Sequence, residues 1–263
     1  MNTKNLPDLK NSESPIKSGP FFEVYENRIE LFWEGVARFI ILENGEIQTI
    51  AEKDASQEQV EIYKSGSPYT TALFMKGHLV LHGSCLKIND KVCGFLGHSG
   101  MGKSTTARAF MEAGHELISD DFIAFKDALK GNELLPGLPQ MRLWQDALEH
   151  FKLSRSEKFK IHEKLDKYSL PTKASRKQEK LDYIFILENA DTLDISELRG
   201  FASLEALMTQ LKPVFYLNGG KREQRSFLQL AEVANTIPTA KLKRPRKHEL
   251  LPDLVKLVER YIA

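Results

Sequence analysis

The sequence predicts an α/β fold in which a core is organised around a strand, a glycine loop and a helix, preceded by a small β-rich module. Two observations carry this. Strand-like apolar runs at 79–88 and 91–96 lead directly into Gly97-His98-Ser99-Gly100-Met101-Gly102-Lys103-Ser104, and the next residues have helical spacing, with Ala107, Phe110 and Met111 on one face. Before residue 77 the apolar runs are short and separated by turn signals, the pattern of a small antiparallel sheet.

Composition narrows the function classes. A chain of 263 residues suggests one large domain, or one domain with a small module. With 41% hydrophobic and 28% charged residues it reads as a globular protein able to bury a sizeable core. Lys+Arg is 37 and Asp+Glu is 36, so no overall field favours nucleic acid or an anionic membrane, and neither partner is expected. Mean hydropathy is −0.35, and no apolar run approaches the ~20 residues of a membrane span. Residues 1–20 contain no apolar signal core, so a cytoplasmic location is expected. The two cysteines, Cys85 and Cys93, have neither CxxC spacing nor histidine partners, which excludes a disulfide scaffold and a zinc site and leaves them as small buried hydrophobes.

Taken in order, residues 1–20 are polar and proline-containing and read as a disordered arm. Residues 21–76 form the β-rich module, with apolar runs at Phe21–Tyr25, Ile29–Trp33, Ala37–Leu42 and Ile47–Ile50. Asn44-Gly45 between the last two is a hairpin signal. Asp54 is placed to cap a helix from Ala55, and Thr70–Lys76 reads as a second helix ending at Gly77. Residues 77–263 form the core. Leu79–Ile88 and Lys91–Leu96 are strands, Thr105–Ala113 is a helix closed by Gly114, and short strands flank Ser119-Asp120-Asp121. Arg142–Phe151 reads as a helix or mixed segment, and Tyr183–Leu187 as a buried strand. Three helical stripes follow: Leu204, Leu207, Met208 and Leu211; Phe227, Leu230, Ala231 and Ala234; and Leu251, Leu254, Val255 and Val258. Residues 152–180 carry ten Lys/Arg against four acids, and read as a solvated mobile loop or as a collector of acidic peptide.

The glycine loop fits G-x-x-x-x-G-K-[ST] at every fixed position. Its glycines let successive N–H groups turn toward phosphate oxygens, and the following helix adds its positive end. Gly97, His98, Ser99, Gly100, Met101, Gly102, Lys103, Ser104 and Thr105 are the candidate ATP-binding residues, with Lys103 reaching the β/γ-phosphates and Ser104 ligating Mg²⁺. Asp120 and Asp121 at a neighbouring strand end are candidates to hold Mg²⁺ or to take a proton. His82 by itself reads as a half-buried strand histidine.

The stretch from Leu81 to Phe125 resembles the HPr kinase/phosphorylase core in order and spacing: His82-Gly83, the loop ending Gly102-Lys103-Ser104, Gly114-His115, then Asp120-Asp121. Twenty-one residues separate His82 from Lys103, and 18 separate Lys103 from Asp121. The resemblance implies that Lys103 binds phosphate, Ser104 binds metal, Asp121 takes the proton of a protein serine and His82 supports it. It also leaves room for a homo-oligomer. The chain departs from the family at Gln140-Met141-Arg142-Leu143, where the family has Glu-Ile-Arg-Gly with a metal-holding Glu. A neutral amide is a poorer Mg²⁺ ligand, so phosphate-dependent reversal is not expected. Arg222, Arg225, Arg244 and Arg246 are all candidates for the family's C-terminal arginine. LPGLPQMRLW, KLDYIFILE and a late LKRPR resemble the shorter HPr-kinase-like proteins that phosphorylate a serine of ribosomal (lasso) peptide precursors.

Three functions are consistent with these residues: a kinase acting on a serine of a small protein or precursor peptide, a kinase acting on a small hydroxyl compound such as free serine, and a nucleotide-dependent switch or ATPase. The chain has neither the N-K-x-D element of a GTPase nor an LSGGQ-like transporter signature, which weighs against the last.

Overall fold

The computed structural model describes residues 14–154, 159–162, 165–175, 177–212 and 220–263. Strands β1 (Lys17–Gly19), β2 (Phe22–Val24), β3 (Arg28–Trp33), β4 (Ala37–Leu42) and β5 (Ile47–Ala51) form an antiparallel sheet in that order. Asn44-Gly45 makes the β4–β5 turn, with Gly45 N donating to Leu42 O at 2.9 Å. Leu31, Phe39 and Ile41 point from this sheet onto Val60, Tyr63 and Phe74 of two helices, α1 (Gln57–Lys64) and α2 (Ser67–Met75). Two expectations are corrected here. Lys17–Gly19 of the supposed arm pairs with Phe22–Val24, because the chain doubles back within two residues; residues 1–13 lie outside the described residues. The cap of α1 is Ser56, not Asp54, since its extended backbone lets Oγ accept from Gln59 N at 3.1 Å.

Next come β6 (Leu79–Leu81), β7 (Gly83–Ile88), β8 (Lys91–Leu96), α3 (Lys103–Glu112), β9 (Glu116–Ser119) and β10 (Ile123–Phe125). The single strand expected at 79–88 breaks at His82, and the two halves enter different sheets. β11 (Gln140–Trp144) and α4 (Gln145–His150) divide the segment read as a helix or mixed segment. β12 (Phe159–His162) and β13 (Leu165–Pro171) follow, and β13 pairs with both β12 and β11. Much of the basic stretch expected as a loop is therefore sheet, because its backbone groups find partners on β11. Lys/Arg at 155, 158, 164 and 176 lie outside the described residues.

The chain ends with β14 (Tyr183–Asn189), β15 (Asp194–Leu198), α5 (Phe201–Met208), β16 (Leu211–Lys212), α6 (Lys221–Thr236), β17 (Thr239–Arg244) and α7 (Leu251–Ile262). Leu211, expected on a helix, pairs with Leu81 in a sheet instead, and Met208 is exposed. The buried face of α6 is Ser226, Gln229, Leu230 and Val233, while Phe227 is exposed. Polar Gln229 is tolerated inside because its amide donates to Gly77 O at 3.3 Å. On α7 the expected stripe of Leu251, Leu254, Val255 and Val258 is buried.

The central sheet runs β15-β17-β14-β8-β7-β9. Ala107 and Phe110 of α3 and Leu254 and Val258 of α7 cover one face; Leu207 of α5 and Leu230 and Val233 of α6 cover the other. Phe95 and Phe185 stack at the centre, 5.4 Å apart, and Cys85 and Cys93 are buried free thiols.

One edge of this sheet collects the functional residues. β8, β14 and β17 are parallel and end there. β7 is antiparallel to β8 with Gly83 opposite Leu96, so it starts there, and β9, antiparallel to β7, ends there. Loops leaving the carboxyl ends of parallel strands form the usual ligand crevice of such sheets.

Candidate functional site

The loop after β8 turns through three glycines in the left-handed region, Gly97, Gly100 and Gly102. Lys103 follows as the first residue of α3, and its Nζ donates to the carbonyls of Gly97 (2.7 Å) and His98 (2.9 Å). Burial, Lys167 and, more weakly, Lys212 push the Lys103 amine down to about 8, with Asp121 opposing. His98 and Ser99 are exposed at the tip, while Thr105 is buried in the first turn of the helix. Met101 Sδ accepts from Asn189 at the end of β14 (3.1 Å).

At the same edge β6 passes to β7 through His82, and β9 passes to β10 through Asp120 and Asp121. Because β6 and β10 pair with each other as β7 and β9 do, the two crossings lie side by side. His82 Nε2 stands 3.6 Å from Asp121 Oδ1. Burial, Lys212 and Lys103 hold the His82 imidazole down to about 3, so the ring is neutral.

The two aspartates do different work. Asp120 is 3% exposed, and both of its oxygens are engaged: Oδ1 accepts from Ser84 Oγ (2.6 Å) and Oδ2 from Arg142 N (2.8 Å). It joins β7 to β11 and is not among the residues lining the cleft. Both oxygens of this expected metal ligand thus brace β7 and β11. Asp121 does line the cleft, on left-handed backbone (φ 75°). Its Oδ2 accepts from Lys212 Nζ (3.2 Å) and Arg142 Nη1 (3.3 Å). Burial opposes its ionisation, but Lys212, Arg142 and Lys167 outweigh that and hold the carboxyl far below the usual range.

Lys103, Ser104, Asp121 and His82 thus meet in one cleft, together with Arg142, Trp144 and Lys167. Sequence reasoning missed Lys167 and Lys212 as site residues and saw in Arg142 only part of a divergent motif. Lys167 belonged to the stretch read as a loop; the single available signal was the basic excess itself. Of the four candidate arginines, Arg222 pairs with Glu43 and Arg225 with Asp127, away from the loop. Arg244 and Arg246 reach it, donating to Met101 O (3.2 Å) and Gly100 O (3.3 Å). Both arrive there because β17 ends at the crevice edge.

The residues fit a nucleotide's phosphates. Lys103, Arg142 and Lys167 line the cleft, where Asp121 is the lining carboxylate and is also held by Lys212, a surplus of positive charge suited to a polyanion. Arg244 lies against Gly102 so closely that a Cβ there would stand 2.0 Å from Nη2, and among the described residues its buried Nε has no hydrogen-bond partner. An adjoining cleft of about 590 Å³ runs from Gly100 and Thr105 past Trp144 to Arg246 and His248, with room for a base and ribose. Among the described residues no cluster of three or more His, Cys, Asp or Glu could hold a metal alone.

The sequence matches no protein-family model and no curated protein. Among solved structures the chain is similar to the Hpr(Ser) kinase/phosphatase from Coxiella burnetii, at 14% identity and a TM-score of 0.32, with 70% of this chain and 95% of that chain covered. No helix among the described residues is long and apolar enough to cross a membrane.

Proposed function

We propose that this chain is a kinase that transfers the γ-phosphoryl group of ATP, with Mg²⁺, to a serine hydroxyl of a small protein or ribosomally made precursor peptide. The reading is carried by one observation: Lys103 and Ser104 of the glycine loop share a cleft with the ionised carboxylate of Asp121. The serine and peptide specificity, of lasso-precursor type, rests on the sequence resemblance.

In this reading the N–H groups of the loop and the start of α3 cradle the phosphates. Lys103, released from the carbonyls of Gly97 and His98, places its charge on the transferring group, and Lys167 and Arg244 add theirs. Ser104 and Asp121, whose Oδ1 is not engaged by Lys212 or Arg142, would hold Mg²⁺, which would supply charge neutralisation at the phosphates. Asp121 also accepts the hydrogen of the attacking hydroxyl. Held so far below neutrality it is a weak base, so its chief contribution is orientation, which suits a transfer that needs little proton removal before the transition state. Neutral His82 packs beside it without competing for Lys212. Gln140 donates its amide to Ser65 Oγ (3.1 Å), and it is not among the residues lining the cleft. In this reading the neutral Gln140 stands where the resemblance implies a metal-holding Glu, so the reaction is proposed to run one way, without phosphate-dependent removal.

The test is purified protein with ATP, Mg²⁺ and serine-containing peptides, small proteins or free serine, with the products read by mass spectrometry. Serine phosphorylation is expected on peptide or protein. Lys103→Ala should abolish it, and Asp121→Asn should reduce it by ~10²-fold or more while nucleotide still binds. Unchanged turnover in Lys103→Ala, or phosphorylation of free serine alone, would refute the reading.

A further inference from the structure

Arg142 does more than neutralise Asp121. Its backbone N–H donates to Asp120 Oδ2 and its Nη1 to Asp121 Oδ2, while Nη2 reaches the N-terminal unit, donating to Ile62 O (3.0 Å) and Ser65 Oγ (3.2 Å). One side chain joins the cleft carboxylate to the end of α1. We propose that Arg142 is a positioning residue that sets the orientation of Asp121 from the N-terminal unit, with the α1–α2 turn as its seat.

Three features build that seat. The Ile62 carbonyl lies in the last turn of α1, where it accepts from Ser65 Oγ (2.8 Å) as well as from Arg142, and a cation is favoured at that end of a helix. Gln140 lies two residues from Arg142, hence on the same face of β11, and also bonds Ser65. Gly66 completes it: a Cβ there would meet Arg142 Nη1 at 3.0 Å and Nη2 at 3.2 Å, so a side chain at this position would press on the guanidinium. Because the guanidinium is a rigid planar fork, its two ends cannot adjust separately, and a displacement of α1 is passed to Asp121. Lysine, with one ammonium, cannot reach both ends at once. The N-terminal sheet and its helices thereby become part of the transfer machinery.

The kinetic arm of the test rests on the kinase reading, whereas the exchange arm does not. Amide hydrogen exchange over Ser119–Ile123, transfer kinetics and ATP affinity are measured in Ser65→Ala, Arg142→Lys and the double variant of the full chain. Both single variants should exchange about tenfold faster in that segment. They should also lose roughly ten- to a hundredfold in kcat while ATP affinity stays within about twofold. The double variant should be no worse than Arg142→Lys alone, since both changes break one linkage. Unchanged exchange in both variants, or effects that multiply independently in the double variant, would overturn the proposal. If no variant and no wild-type sample binds nucleotide, the kinase reading fails and exchange still decides the positioning role.

Discussion

Lys212 grips Asp121 twice: its Nζ donates to the Asp121 backbone carbonyl at 3.0 Å and to the carboxylate Oδ2 at 3.2 Å. The two contacts bear on the same problem. Asp121 sits at φ 75°, a conformation that L-residues adopt at a cost, and its charge is largely buried. A cation holding both the carbonyl and the carboxylate stabilises the turn and the ionised state together. β16 brings it there, a strand of two residues whose pairing with β6 places Lys212 opposite Val80, next to the crossing at His82.

Removing that grip has a defined consequence. Lys212→Met keeps the length of the stem and removes the donor, leaving Asp121 with Arg142 as its remaining bonded cation. Phosphoryl transfer should fall by roughly ten- to a hundredfold through misplacement of the carboxylate. Stability should drop by about 1–3 kcal/mol, the usual cost of depriving a buried acceptor of its partner. Turnover and denaturant unfolding of the same preparation check both.

The glycines of the loop should differ in what they tolerate. At Gly102 a Cβ would collide with the Arg244 guanidinium, and the backbone is left-handed at φ 79°. At Gly100 the backbone is similar, φ 83°, but nothing lies within 4 Å of the added atom. Gly100→Ala should therefore cost only the backbone term, about 1–2 kcal/mol. Gly102→Ala should also dislodge Arg244 and weaken ATP binding the more of the two. Titration calorimetry on the pair would show the order, and equal affinities would contradict it.

Lys103 predicts a basic limb. Its amine is held at about 8 in the protein without nucleotide, so its charge is lost as pH rises through that value. kcat/KM, which reports the free enzyme, should fall above about pH 8. Bound phosphate favours the charged form, so the limb in kcat should lie at higher pH. Coincident limbs in the two profiles would argue against this assignment.

His82 predicts acid sensitivity of the fold. Its imidazole is lowered from 6.5 to about 3, so below 6.5 the unfolded chain takes up a proton that the folded chain refuses. Stability is then lost as pH falls from 6.5 toward 3, by at most roughly 1.4 kcal/mol per pH unit. Asp121, lowered as well, adds to the loss only below the ordinary carboxylate range. Urea unfolding at pH 7, 6 and 5 should show a shallower decline in His82→Gln than in the natural chain. Equal slopes would place the titrating group elsewhere.

What can be read from the sequence alone is what neighbouring residues decide among themselves. The loop from Gly97 to Ser104 is one such case, since its glycines, its strand and its helix are contiguous. The Asn44-Gly45 turn and the apolar stripe of α7 are others, each set by local backbone preference or by a period of 3.6. The resemblance of the 81–125 stretch also implied Asp121 and His82 beside the loop, though not the reason they meet. That reason is the pair of sheet crossings at His82 and at Asp120-Asp121, and a strand break between two apolar runs leaves no mark in a hydrophobic pattern. Only the tertiary structure separated the two aspartates, by giving Asp120 to Ser84 and Arg142 N and turning Asp121 to the cleft. It alone also brought in the cations that hold Asp121, from 21 residues away in Arg142 and 91 in Lys212. A lone basic residue in a polar segment reads as a solvated surface charge. It becomes part of a site when strand pairing, as between β13 and β11 or β16 and β6, fixes its backbone where water is scarce and a buried carboxylate is the partner within reach.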